Sequence, residues 1–223
     1  MEKRYGLLSD NYYKRKSKLY LQNSFHYVDR LKTILKILDP KKDEKILDIG
    51  CGFGSCGIEC AKLDCDVTGL DISTKAIETF GNIAKKLNLK VKGIVSSCTS
   101  MSSLKSNSFD KIVCADIIEH LNYEDSLSTF KECKRVLKRG GKLLVYTPNA
   151  HHFTEYIRPR KVEGHICVKT MKYLKNTLGS LGFKIEKAFY RPSGVPVIRQ
   201  LDIIFGTFLP LFRKRLCVLV IKK

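Results

Sequence analysis

The chain predicts an α/β domain built on a mostly parallel, doubly wound sheet, and three observations predict it. Apolar runs of strand length alternate with segments of helical periodicity from about residue 45 to 147. The run Ile46-Leu47-Asp48-Ile49 passes into a glycine-rich turn, Gly50-Cys51-Gly52-Phe53-Gly54, that opens a helix. The following run, Val67-Thr68-Gly69-Leu70, ends in Asp71, so a second strand delivers a carboxylate at its C-terminal end.

Taken in order, residues 12–38 read as a basic, amphipathic helical region, with Phe25, Val28, Leu31, Leu35 and Leu38 at helical spacing. Strands are expected near 45–49, 66–70, 91–95, 110–114 and 142–147, and helices near 54–63, 73–88 and 123–138. Asp71 and Ser73 are candidate caps of the second helix of this series, and Gly140-Gly141 is a candidate stop for the third. After Pro148 the pattern gives a helix near 169–180 and strands near 183–190 and 216–222. At 223 residues and 43% hydrophobic content, the chain can bury one substantial core.

The glycine turn lets the backbone approach a ligand where a Cβ would clash, and a carboxylate at the end of the next strand is where a ribose diol would lie. Together they point to a nucleoside-bearing ligand. Gly52-Phe53-Gly54-Ser55-Cys56-Gly57 satisfies the literal dinucleotide pattern, but its register does not: counting from Gly50, which follows the strand, puts Ser55 at the third glycine position. Asp48 at the mouth of the turn would repel a pyrophosphate and suit a ligand that carries an ammonium and a sulfonium.

Four further stretches follow: Ser108-Phe109-Asp110-Lys111-Ile112-Val113-Cys114-Ala115-Asp116, Ile117-Ile118-Glu119-His120-Leu121, Arg135-Val136-Leu137-Lys138-Arg139-Gly140-Gly141-Lys142-Leu143-Leu144-Val145, and Leu181-Gly182-Phe183-Lys184-Ile185. In this order, and over most of residues 40–190, the chain resembles the class I S-adenosylmethionine-dependent methyltransferases, of the small-molecule type that includes the quinone-biosynthesis enzymes. The resemblance implies a Rossmann-like, seven-stranded, mostly parallel sheet with an antiparallel C-terminal edge strand. It also implies a helical lid over residues 1–39 and a methyltransferase domain over 40–223, interrupted by an insertion near 191–215. S-adenosyl-L-methionine is the implied cofactor. Asp48, Gly50, Cys51, Gly52 and Gly54 would surround its methionine and ribose parts, Asp71 would accept from the ribose hydroxyls, and Ile72 would pack on the adenine. Ala115, at the end of the fourth strand, completes the set. Where the family usually has an adenine-facing aspartate this chain has Cys98, followed by Thr99; cysteine is a poor acceptor, so Thr99, Ser100 or backbone would substitute.

A methyl group on positively charged sulfur is already activated, so the protein mainly places a nucleophile and excludes water. The expected acceptor is a small, lipophilic molecule methylated at oxygen. An acceptor that must lose a proton needs a base, and His120, after the fourth strand, is the best-placed candidate. His151, His152 and His165 follow the fifth strand, where the family's substrate pocket often lies. Glu119 beside His120 is a weak metal signal, and no metal site is expected. Cys51, Cys56, Cys60 and Cys65 are close in sequence but contain no Cys-x-x-Cys pair, so they read as small buried hydrophobes.

Nine cysteines with no disulfide framework, and no apolar leader after Met1, lead us to expect a reducing, cytoplasmic setting. The formal net charge of +19 favours an anionic partner or surface. Its lysines are spread along the chain without an aromatic-basic platform, which makes a nucleic-acid methyltransferase the weaker alternative; a non-catalytic, cofactor-binding scaffold is the other. The apolar stretch from Leu201 to Phe212, followed by Arg213-Lys214-Arg215, is too short to span a bilayer and suits a peripheral contact of residues 201–215 with anionic lipid at the inner face of the membrane.

Overall fold

A computed structural model describes residues 10–153, 155, 165–193 and 196–223. Five parallel strands form the body of the sheet: β1 (Lys45–Ile49), β2 (Asp66–Asp71), β3 (Val91–Val95), β4 (Phe109–Ala115) and β5 (Leu137–Pro148). Two more, β6 (Phe183–Arg191) and β7 (Arg215–Lys222), complete a seven-stranded sheet in the order β3-β2-β1-β4-β5-β7-β6. The C-terminal strand is antiparallel to both neighbours and lies one place in from the edge, which β6 occupies. Burial explains the arrangement. Leu216 to Val220 of β7 are all buried, which demands cover on both faces and both sides, whereas β6 alternates with exposed Lys184, Glu186 and Lys187, a composition that suits an edge.

The N-terminal region is two helices, α1 (Asp10–Leu21) and α2 (Phe25–Leu38), turned at Asn23, whose φ is 53°. Helices α3 (Ser55–Ala61), α4 (Thr74–Lys86) and α5 (Tyr123–Val136) cross over the sheet. Ser73 caps α4 by accepting from the Ala76 amide at 3.2 Å, and Asn122 caps α5 by accepting from Asp125 at 2.7 Å. Gly140-Gly141 is not the stop of α5. That helix ends at Val136 and β5 starts at once, with a register shift opposite Phe109 and Lys111. A Cβ on Gly141 would lie 2.9 Å from the Asp110 carbonyl, so the strand bend needs glycine there. Helix α6 (Met171–Ser180) precedes β6, and α7 (Pro196–Phe205) lies within the expected insertion.

The alternation of each strand feeds two cores. Ile46, Val67, Val113, Leu144 and Leu219 pack with α2, α3 and α4 on one face; Leu47, Ile49, Ile112, Leu143 and Val218 pack with α5 and α6 on the other. Cys51, Cys56, Cys60 and Cys65 belong to the first core as free thiols. The strand order reverses between β1 and β4, and in open α/β sheets the crevice beyond the C-terminal strand ends at that point is where ligands bind.

Candidate functional site

Two chain segments meet at this crevice. The first is the glycine turn after β1. Gly50 and Gly52 have φ of 63° and 56°, a left-handed region that favours glycine. A Cβ on Gly50 would sit 2.7 Å from the Ile117 side chain, so this turn and the segment leaving β4 are in contact; around Gly52 the same position is open for 4 Å. Asp71, at the end of β2, closes the turn from the other side. Its Oδ2 accepts the Gly52 amide and its Oδ1 the Ser73 amide, both at 2.9 Å. Each oxygen keeps a further lone pair for a ligand, and burial raises the carboxyl above its ordinary range. Ile72 is half-buried beside it.

Asp48 is buried, and its Oδ2 accepts the Gly57 amide at 2.9 Å, which ties β1 to the first turn of α3. Burial pushes this carboxyl up to about 7, against the opposing effects of the Gly57 amide and Arg30. Cys51 is buried in the turn. Gly54 meets the Phe80 ring of α4, which would lie 2.0 Å from a Cβ; its glycine is a requirement of packing. Cys98 is turned into the core, where its sulfur accepts from the Thr129 hydroxyl at 3.4 Å. The Thr99 and Ser97 hydroxyls share a 2.8 Å hydrogen bond in the loop after β3, and Ala115 is buried at the end of β4.

Helices α1 and α2 cover the turn. Tyr13 is buried beside Ser73 and Asp71; burial, aided by the Asp71 charge and opposed by the hydrogen bond with Ser73, drives its phenol to about 12. The Tyr20 hydroxyl donates to Glu59 of α3 at 2.5 Å, and the Phe53 ring lies 5.7 Å from those of Tyr20 and Tyr27.

The second segment leaves β4 at Asp116, a non-glycine residue with φ of 58°. Its carboxylate is clamped by Arg30 of α2, at 2.7 Å, and by Arg215, the first residue of β7. Burial alone would raise this carboxyl, but the two guanidiniums outweigh it and hold it at about 2. A single 3-10 turn, Ile118–His120, follows. Glu119 is buried and accepts from the Thr147 hydroxyl of β5 at 2.9 Å. His165 comes from a distant loop to stand beside His120, ring centroids 5.4 Å apart, and its Nδ1 lies 3.3 Å from Glu155. One ligand atom each from Glu119, His120 and His165 lies within 4.8 Å of the others. Among the described residues this is the grouping with the spacing to hold a metal ion; the cysteines form none.

His151 is exposed, while His152 is fully buried and paired with Asp202 of α7 at 3.1 Å. The Arg30–Asp116–Arg215 clamp was not singled out from sequence, because its members are 86 and 99 residues apart. The pairing of His165 with His120 left no local signal either. A cavity of about 490 Å³ between β6 and α7 is lined by Tyr190, Asp202 and Phe212 and by none of the residues of the glycine turn or of the segment leaving β4.

Residues 46–141 match the family model described as a methyltransferase domain. This stretch is a methyltransferase domain. Its boundaries enclose the glycine turn, Asp71 and the Glu119–His120 turn. The chain is 37% identical over 110 residues to a ubiquinone biosynthesis O-methyltransferase of Pelagibacter ubique, covering 49% of this chain and 44% of that one. It is 33% identical over 146 residues to phosphoethanolamine N-methyltransferase 1 of Arabidopsis thaliana, covering 62% and 29%. The chain thus spans about half, or less, of the length of these relatives. Among solved structures, a SAM-dependent methyltransferase from Archaeoglobus fulgidus superposes with a TM-score of 0.72 at 20% identity, over 94% of this chain and all of that one. The chain therefore shares the fold of that enzyme, and the group to test against its crevice is S-adenosyl-L-methionine. Its residues fit that group: the space at Gly52 admits a ligand against bare backbone, and Asp71 presents acceptors where ribose hydroxyls would arrive.

Proposed function

We propose that this chain transfers a methyl group from S-adenosyl-L-methionine to a hydroxyl oxygen of a small, lipophilic acceptor. The observation that supports the reading is the contact between the glycine turn and the segment leaving β4, through Gly50 and Ile117, on which we take Asp71 and the Glu119–His120–His165 group to serve one crevice. When bound, the cofactor supplies a methyl group already activated by positive sulfur. Asp71 would accept from its ribose hydroxyls, and Asp48 would lie beside its cationic end, where a bound cation would draw the buried carboxyl toward its charged form. Gly50, Cys51, Gly52 and Gly54 would shape its channel, and Ile72, Thr99, the backbone at Cys98, and Ala115 would border its base. His120 would activate the acceptor hydroxyl, and helices α1 and α2 would exclude water above the turn.

Oxygen as the methylated atom is supported by the likeness to ubiquinone biosynthesis O-methyltransferases. A lipophilic acceptor is supported by the surface of α7 and the turn after it, where Val197, Ile203, Ile204 and Phe208 are 71%, 57%, 60% and 81% exposed. We assign this surface to peripheral contact with anionic lipid, given the net charge of +19. No helix among the described residues is long and apolar enough to cross a membrane.

Calorimetric titration with S-adenosylmethionine, S-adenosylhomocysteine and NAD, followed by an acceptor screen that reads S-adenosylhomocysteine formation, tests the reading. Binding of the first two ligands, then turnover on a phenolic or lipid-linked hydroxyl, is expected. Binding of NAD alone, or cofactor binding with turnover only on RNA, would overturn it.

A further inference from the structure

Lys169 is fully buried, and its ammonium bonds two backbone carbonyls rather than a carboxylate: Leu121 at 2.6 Å and Cys167 at 2.8 Å. The rings of Tyr123 and Tyr173 flank it, with centroids 4.6 and 5.7 Å from Nζ. Taking an ammonium out of water is costly. Burial accordingly lowers its pKa from the ordinary lysine range, against the pull of Cys167, Glu119 and Asp125. A methionine would fill nearly the same volume without that cost, so the charge is explained by what it holds.

It holds two segments that are far apart in sequence. Leu121 ends the turn that carries Glu119 and His120, and Cys167 lies just after His165 in the loop before α6. One ammonium faces a carbonyl of each, so neither segment can shift without breaking a charge-assisted hydrogen bond. The Ile166 and Cys167 amides both donate to the Glu119 carbonyl at 3.0 Å. Those amides share a single acceptor, a point about which the loop could pivot; the ammonium adds the second point that fixes its angle. A third segment joins through the carbonyl of Lys169, which accepts the Ala150 amide at 3.0 Å just past the end of β5. Thr170 then caps α6 by accepting from the Tyr173 amide at 3.1 Å, which anchors the far end of the loop. The result is that the His165 ring stands beside that of His120.

We propose that Lys169 is a positioning residue for the methyl transfer, its ammonium locking the loop before α6 to the turn after β4 so that the acceptor meets His120 at a fixed angle. The proposal rests on the proposed reaction for its acceptor and needs no contact of Lys169 with cofactor or acceptor. A displacement of about 1 Å at a reacting group can cost about 100-fold in rate. The cofactor's side of the crevice, built from the glycine turn, Asp48 and Asp71, shares no hydrogen bond with Lys169. Loss of the ammonium is therefore felt in turnover and not in cofactor affinity.

The test compares the full chain with Lys169→Met by amide hydrogen exchange, by calorimetry of S-adenosylhomocysteine, and by steady-state kinetics with the best phenolic acceptor of the screen. Exchange at Ile166 and Cys167 should become at least about tenfold faster, with affinity for S-adenosylhomocysteine kept within about twofold. Turnover should fall at least about 30-fold, with the acceptor KM changed less than about threefold. Tyr123→Ala removes an exposed ring, leaves the core whole and opens the ammonium to water; it should give a change of the same kind, about threefold in exchange and in turnover. If Lys169→Met does not fold, Tyr123→Ala decides by the same readouts. Unchanged exchange, turnover kept within about threefold in Lys169→Met, or cofactor affinity that falls in step with turnover overturns the proposal. Faster exchange in Lys169→Met, when the parent methylates no hydroxyl, removes the methyl-transfer reading and leaves the lock. Turnover by the parent with unchanged exchange in Lys169→Met removes the lock and leaves the reading.

Discussion

Asp48 is a buried carboxylate whose proton the fold holds, and replacing it with asparagine exposes the consequence. The side chain is 3% exposed and accepts one backbone amide, from Gly57, which an asparagine oxygen can accept equally well. Burial lifts its pKa from 3.8 to about 7. The folded state therefore binds the proton more tightly than the unfolded chain does. Stability is unaffected by this group below about pH 4, falls as pH rises from there, and reaches its full loss above about pH 7. At about 1.4 kcal/mol for each pH unit, the difference sets a ceiling of about 4 kcal/mol, and relaxation around the buried charge leaves about 2 kcal/mol as the expected effect. Asp48→Asn should accordingly stabilise the ligand-free protein by about 2 kcal/mol at pH 8 and by clearly less at pH 5. Urea unfolding followed by far-ultraviolet circular dichroism, at both pH values and for both proteins, measures it. An equal difference at pH 5 and pH 8 would refute the reasoning, because only the titration of Asp48 makes the two differ.

Asp71→Ala removes two acceptors from the turn and should weaken S-adenosylmethionine binding at least about tenfold in calorimetry; unchanged affinity would count against the crevice as the cofactor site. Gly54→Ala would place a Cβ 2.0 Å from the Phe80 ring at a φ of 87°. Strain and overpacking together should cost about 2–4 kcal/mol, visible as a lower thermal midpoint, and a cost below about 0.5 kcal/mol would show that α4 yields. The parent protein should sediment with vesicles containing phosphatidylglycerol, less so at high salt, and the double change Ile203→Glu, Phe208→Glu should release it. Failure of the parent to sediment would end the assignment of that surface.

Most of the central sheet was legible because each parallel strand is an apolar run bounded by a turn signal. Lys45–Ile49 and Val91–Val95 fall where the pattern puts them, and Ser73 caps α4 as its position suggests. The turn at Asn23 was not legible, since Gln22-Asn23-Ser24 lacks glycine and proline and reads on through the helix. Helix α7 was seen as an apolar insertion rather than a helix, its run of apolar residues read for its composition and not its spacing. The position of β7 inside the sheet is a matter of topology, which periodicity does not encode. At the site, the glycine turn, Asp71 and His120 are each announced by local spacing. Asp48 and Gly54 stand in that same local pattern, yet in the folded chain one fastens α3 and the other admits Phe80. His165 joins His120 through hydrogen bonds of the backbone, which any sequence could make.

The placement of β7 sets an order of events during synthesis. Strand β6 has no partner until residues 215–222 arrive between it and β5, and the same segment brings Arg215, the second clamp on Asp116. A nascent chain on the ribosome can pair β1 to β5 as soon as they emerge, but it carries an open, sticky edge at β5 and an unbalanced turn at the crevice. The turn gains its second clamp only when the last strand slides in, so a ribosome stalled before residue 215 displays most of the sheet with Asp116 paired to Arg30 alone.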